Sequence, residues 1–180
     1  GIQQTNKHVL SNCDSPIALD RYLQRHNNIL LVLADWVNKN ISKDQKLYVD
    51  TDFSSDYNPV SEIIEPIYRP DIVLSDPSAV IVWELTVCHE TNLAKSKLYK
   101  LNKYKDIAKA VKTTVGSKRV KLFSVEVSAL GVVGDTSDFT EAAKLPRIPK
   151  DLIKHLTNIA LSSSYKIYRN RDSHEVICVE

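Results

Sequence analysis

The stretch RPDIVLSDPSAVIVWELTV, residues 69–87, decides how the chain folds. Its two runs, Asp71 to Leu74 and Ala79 to Val87, are rich in β-branched residues, and Ser75, Asp76, Pro77 and Ser78 between them carry turn chemistry. That pattern predicts a β-hairpin. The first half of the second run is apolar on both faces, which places it centrally in a sheet. Each run also carries one carboxylate, Asp71 and Glu84, thirteen positions apart.

Upstream, Ser15 and Pro16 combine a capping hydroxyl with a proline at the first helical position. Leu19, Leu23, Leu30, Leu33, Trp36 and Val37 then recur at helical spacing and predict a helix from Pro16 to about Asn40. Lys46 to Val49 is a short strand candidate. Residues 51–66 are polar and irregular, with room for a strand at Ile63 and Ile64. Downstream, Thr91 and Asn92 can cap a helix from about Leu93 to Thr114, with Leu98, Leu101, Ile107, Ala108 and Val111 as its apolar stripe. Val120 to Ser128 reads as a strand, Gly131 and Gly134 break the pattern, and Ser137 to Lys144 can form a short helix. A last helix starts near Ile148 to Asp151 and runs to about Tyr168. This order predicts an α/β fold in which helices flank one mixed central sheet.

Composition narrows the class. The 180 residues are 43% apolar and 26% charged, which excludes collagen-like, coiled-coil and disordered chains and suits one domain with a single core. No apolar run reaches the ~18 residues of a membrane span, so no membrane partner is expected. Cys13, Cys88 and Cys178 are odd in number and widely spaced, which argues against a disulfide framework. The net charge of +2 hides an asymmetry. Lys95 to Lys121 holds ten basic residues and one acid, whereas Tyr48 to Glu90 holds nine acids and one arginine. An acidic block suited to cations therefore precedes a basic block suited to a polyanion. Two solvated faces of opposite sign are the alternative on charge alone.

Side chains on paired strands face one another, so Asp71 and Glu84 can converge. Two carboxylates held together repel, and a divalent cation is the usual reason to tolerate them. Hard oxygen ligands select Mg²⁺ or Mn²⁺ over zinc. Spacing alone equally allows Asp71 to cap a turn and Glu84 to pair with a helix lysine.

Arg69, Pro70 and Asp71, then twelve residues, then Glu84, followed by Glu90, Asn92, Lys100, Lys103 and Tyr104, resemble the restriction-like endonuclease domain of non-LTR retrotransposons, within the PD-(D/E)xK nuclease superfamily. The resemblance extends to Tyr22, Arg25, His26 and Asn27, to His8 and Cys13, to Phe123 to Val127 with Gly131, and to Ser163 to Arg169. It implies a restriction-endonuclease-like fold and a divalent-metal-dependent DNA endonuclease. Its function would be to nick target duplex DNA for target-primed reverse transcription. Asp71 and Glu84 would hold the metal with the backbone carbonyl of Leu85. The superfamily's lysine usually stands two residues after the second acid, where this chain has Thr86. A helix returning along the strand places Lys100 or Lys103 beside Glu84 instead, since about thirteen residues at ~1.5 Å retrace roughly 20 Å of strand. The catalytic set expected is therefore Asp71, Glu84, Lys100 and Lys103, and Arg25, His26, Arg69, Lys97 and Tyr104 are the nucleic-acid candidates. The resemblance puts Arg25 and His26 close to the active site, with structural hydrogen bonding as their alternative. Core packing is the role to weigh for Tyr104, and Arg69 either contacts phosphate or fixes the carboxylate pair. The alternative is a nuclease-like domain that binds nucleic acid without cutting it.

His8 and Cys13 resemble the second half of a Cys-Cys-His-Cys zinc knuckle. Its first two cysteines would precede Gly1, so zinc is not expected here. Together with the missing initiator Met, this leads us to expect a segment of a longer polyprotein that contains a reverse transcriptase and works in the nucleus. The expected division is a knuckle remnant over residues 1–14, the endonuclease over 15–170 and a tail over 171–180. Assembly as a homodimer stays open.

Overall fold

A computed structural model describes residues 5–51, 59–111 and 119–171. Helix α1 spans Pro16–Asn40, and the Ser15 hydroxyl accepts from the Ala18 amide at 3.3 Å to cap it. Strand β1 is Lys46–Val49, β2 is Ile72–Ser75 and β3 is Ala79–Cys88. Helix α2 is Leu93–Lys103, β4 is Arg119–Ser128, α3 is Ser137–Ala142 and α4 is Lys150–Arg169. Short helical turns cover His8–Asn12, Pro59–Glu62, Glu90–Asn92 and Ile107–Ala110.

The four strands lie in the order β1-β2-β3-β4. The first two pairings are antiparallel, and β3 runs parallel to β4 across the α2 crossover. The sheet is thus mixed and flanked by helices, as expected. Between β2 and β3 the Asp76 carboxylate accepts from the Ser78 and Ala79 amides, which closes the hairpin.

Alternation along the strands divides the core between the two faces. Ile72, Leu74, Ile81, Trp83 and Leu85 pack with Ile29, Leu33, Phe139, Leu156 and Ala160 from α1, α3 and α4. Val73, Val80 and Val82 face Val60, Ile64, Tyr104 and Ile107 on the other side. Trp83 stacks on Phe139 with ring centroids 3.7 Å apart. Gly131 holds a φ of 91° just after β4, and a side chain there would meet Thr157 of α4.

Three expectations change. Leu19 and Leu23 are exposed, while Ala18, Arg21 and Arg25 take the inward positions in the first half of α1. That half covers polar ground, so its buried stripe is not wholly apolar. Helix α2 ends at Lys103 rather than near Thr114, because Tyr104 turns into the core, and Leu98 of the expected stripe is exposed. The final part of that expected helix, residues 112–114, lies outside the described residues. Ile64 forms only an isolated bridge, to Val111, rather than a strand.

The His8–Asn12 turn packs on the body of the chain. Val9 and Leu10 cluster with Ala129 and Ile167, and the Tyr22 hydroxyl donates to the Val9 carbonyl at 2.7 Å. Among the described residues, no helix is long and apolar enough to cross a membrane.

Candidate active site

The register that pairs Ile72 with Trp83 puts Asp71 opposite Glu84 at the end of the hairpin. Both point to the face that α2 covers, and both are essentially buried. The Asp71 amide donates to Glu84 Oε1 at 3.1 Å, and the Leu85 amide donates to Asp71 Oδ2 at 2.7 Å. Each strand thus fixes the other strand's carboxylate with a backbone N–H, which leaves little rotamer freedom to either.

From α2, Lys100 Nζ lies 2.7 Å from Glu84 Oε2 and 3.4 Å from Asp71 Oδ2. From α1, His26 Nε2 donates to the Leu85 carbonyl at 3.3 Å and lies 3.5 Å from Asp71 Oδ2. The Asn27 side chain anchors this part of α1 by donating to the Thr51 carbonyl at 2.8 Å. A cleft of about 400 Å³ opens over the group, lined by Tyr22, Leu23, His26, Thr86, Tyr99 and Lys100 among others.

Burial, and then the negative charge of Asp71, push the Glu84 carboxyl up to about 7 despite Lys100. Burial would also raise Asp71, but His26, Lys100 and the Leu85 amide outweigh it and hold that carboxyl below the usual range. Burial opposes charge on Lys100 as well, yet Asp71 and Glu84 outweigh it and raise the ammonium. Burial likewise pushes His26 down, and its contact with Asp71 more than reverses that. Two neighbouring carboxylates are therefore poised differently: Asp71 stays ionised, and Glu84 takes up a proton near neutrality.

The donor chemistry fits a hard divalent cation. Asp71, Glu84 and the Leu85 carbonyl offer oxygens, and one permanent cation, Lys100, faces two carboxylates. Among the described residues, no group of three or more His, Cys, Asp or Glu side chains is disposed to hold a metal. A bound ion would need the carbonyl, and water or phosphate oxygens, beside the two carboxylates.

Of the expected site residues, Asp71, Glu84, Leu85, Lys100 and His26 come together. His26 sits against the carboxylates within the cleft, close to the pair as the resemblance implied. Lys103 is turned away, its Nζ 4.7 Å from the centre of the Tyr104 ring, because three residues along a helix rotate a side chain by about 60° short of a full turn. Tyr104 is fully buried, and its hydroxyl donates to the Arg69 carbonyl at 2.8 Å, so it supports the hairpin and does not face nucleic acid. Burial, followed by the charges of Glu84 and Asp71, raises its phenol.

Arg25 does not join the carboxylates. It is buried and donates to Ser164 Oγ at 3.0 Å and to the Leu10 carbonyl at 2.9 Å, which joins α1 to α4 and to the N-terminal turn. Arg69 forms a two-pronged ion pair with buried Asp50, at 2.7 and 2.8 Å. Lys97 is half exposed and lies 3.5 Å from Glu126 Oε2.

Sequence reasoning did not find Asp50, whose partner is nineteen positions away, or the buried Thr86 hydroxyl, which has no hydrogen-bond partner among the described residues. It also missed that Glu90 caps the end of β4, accepting from the Ser128 hydroxyl and the Leu130 amide. A usable signal for His26 was present: two polar residues, Arg25 and His26, interrupt the apolar pattern of α1. His8 lies in the packed N-terminal turn, and Cys13 Sγ lies 3.3 Å from Ser15 Oγ.

No protein-family model matches the chain, and no curated protein matches it. Among solved structures, the chain is similar to one described under "Structure and function of phenuiviridae cap snatching endonucleases". The TM-score is 0.40 and the identity 17%, with 78% of this chain and 65% of that chain covered. The chain thus spans just under two thirds of that neighbour's length.

Proposed function

We propose that the chain is a divalent-metal-dependent DNA endonuclease domain that hydrolyses phosphodiester bonds. The observation that carries this is Lys100 Nζ reaching both buried carboxylates, Asp71 and Glu84, beneath an open cleft. That arrangement answers the absence of a lysine at Thr86 with one supplied from the next helix.

In this proposal Asp71, Glu84 and the Leu85 carbonyl hold Mg²⁺ or Mn²⁺. Such an ion lowers the pKa of the attacking water and neutralises charge that grows on the phosphate. Lys100 orients that water or stabilises the transition-state charge, and its contact with Glu84 keeps it there before substrate arrives. His26 positions Asp71 and the Leu85 carbonyl. The basic segment Lys95 to Lys121 attracts the DNA backbone without reading its sequence, so binding weakens steeply with salt.

The larger context proposed is a retroelement polyprotein with a reverse transcriptase, acting in the nucleus to nick target DNA as the primer for reverse transcription. Incubating the chain with supercoiled plasmid and Mn²⁺, beside Asp71→Ala and Glu84→Ala, tests the enzymatic core. We expect relaxed circles from wild type alone. Nicking by wild type no faster than by the two variants, with plasmid binding retained, would overturn it in favour of a binding module.

A further inference from the structure

Helix α1 separates the candidate active site from a second polar cleft. His26 faces the carboxylates, while Arg21, Gln24, Arg25 and Asn28 line a pocket of about 40 Å³ against Ser163 and Lys166 of α4. At about 10–15 Å³ per water, that is room for a few waters or one oxyanion.

Among the described residues its lining carries no acid. Among the described residues the buried Arg25 guanidinium donates to neutral oxygens of Ser164, Leu10 and Val87 and lies 5.4 Å from the centre of the Tyr22 ring, while its Nε has no hydrogen-bond partner. Among the described residues, no carboxylate lies within ion-pair distance of it. Burial lowers the guanidinium to about 10, so it stays charged at neutral pH. A buried charge without a counter-charge is costly unless an anion answers it.

The surroundings suit a nucleic-acid strand. Lys166, Arg169 and Arg171 are the Lys and Arg residues between His155 and Arg171, a stretch without an acid that Asp172 follows. Tyr165 and Tyr168 are exposed on the same helix, α4, with the guanidinium of Arg169 5.9 Å from the first ring and that of Arg171 4.6 Å from the second. Exposed rings among cations give sugars and bases a stacking surface.

We propose that the cleft between α1 and α4 seats a backbone phosphate of the nucleic acid, with Lys166, Gln24, Asn28 and Ser163 as donors around the charge of Arg25. The α1 helix is about 10–12 Å across, so this phosphate lies at least about 10 Å from the one over Asp71. The spacing rests on the cleft at Asp71 cutting nucleic acid, whereas the phosphate seat does not.

The test measures the affinity of the full chain carrying Asp71→Asn for a fluorescein-labelled 20-base-pair duplex across a salt series. Adding the exposed substitution Lys166→Glu should raise Kd at least about fivefold and reduce the salt slope by about one. Lys154→Glu makes the same charge change about 18 Å along α4 and should alter Kd less than about twofold. Equal losses from both variants, or from neither, overturn the proposal. In a second arm, inorganic phosphate alone is titrated while the Asn28 and Ser163 amide resonances are followed. If phosphate shifts them but Lys166→Glu leaves duplex affinity unchanged, the pocket serves a small phosphate and the proposal fails. Because binding is scored on a variant that cannot cut, failure of the wild type to nick plasmid leaves this outcome independent.

Discussion

Two buried acidic settings lie side by side at one end of the sheet, joined by a hydrogen bond from the Asp50 amide to the Asp71 carbonyl at 3.0 Å. Asp50 has one carboxylate and one guanidinium, that of Arg69, which grips both its oxygens. Asp71 and Glu84 place two carboxylates against one permanent cation, Lys100, with His26 as a titratable neighbour. Among the described residues the first setting sets one carboxylate against one guanidinium. The second balances only when Glu84 holds a proton or another cation arrives. Similar burial therefore holds a matched pair in one case and an unmatched one in the other, and the difference lies in the count of charges among the described residues.

The sharpest way to break this comparison is to remove a charge from the unbalanced pair. Asp71→Ala should cut plasmid nicking at least about a thousandfold, roughly 4 kcal/mol of barrier, with the folded circular dichroism spectrum retained. Removing a charge from the balanced pair should have the opposite profile. Arg69→Ala strands Asp50 in the interior, and denaturant titration should report a loss of about 3–5 kcal/mol in stability.

The two settings should also differ with pH. The folded carboxyl of Glu84, near 7, lies above its ordinary value of 4.5, so the folded state holds the proton more tightly and metal-free stability falls as pH rises through that window. A Glu84→Gln variant does not titrate there. Its stability should draw level with or fall below wild type at pH 4.5 and should gain on it by on the order of 3 kcal/mol by pH 7.5, measured without divalent ions. A constant gap across that range would show that Glu84 is not the strained member. Lys100→Ala should lower nicking about 10- to 100-fold. Lys103→Ala, whose ammonium rests on Tyr104, should stay within about threefold, and an equal loss at both positions would undo their separation.

Much of this was legible in the chain. The hairpin was, because β-branched runs around Asp76 and Pro77 leave few alternatives. So was the meeting of Asp71 and Glu84, because antiparallel pairing couples register to sequence distance. The limits of α2 were not: periodicity continues past Lys103, and only the burial of Tyr104 against the hairpin ends the helix. Arg25 and His26 are adjacent in sequence, and nothing local says that one anchors α4 while the other reaches Asp71.

By itself, then, the sequence determined the hairpin, the order of the main helices and strands and the pair of carboxylates, since these follow from local periodicity and from a turn that sets its own register. Tertiary structure alone decided which lysine joins that pair, which arginine neutralises Asp50 and which side of α1 faces the cleft. Those outcomes depend on how helices rotate as they pack on the sheet, and a rotation of one residue, about 100°, exchanges a buried side chain for an exposed one.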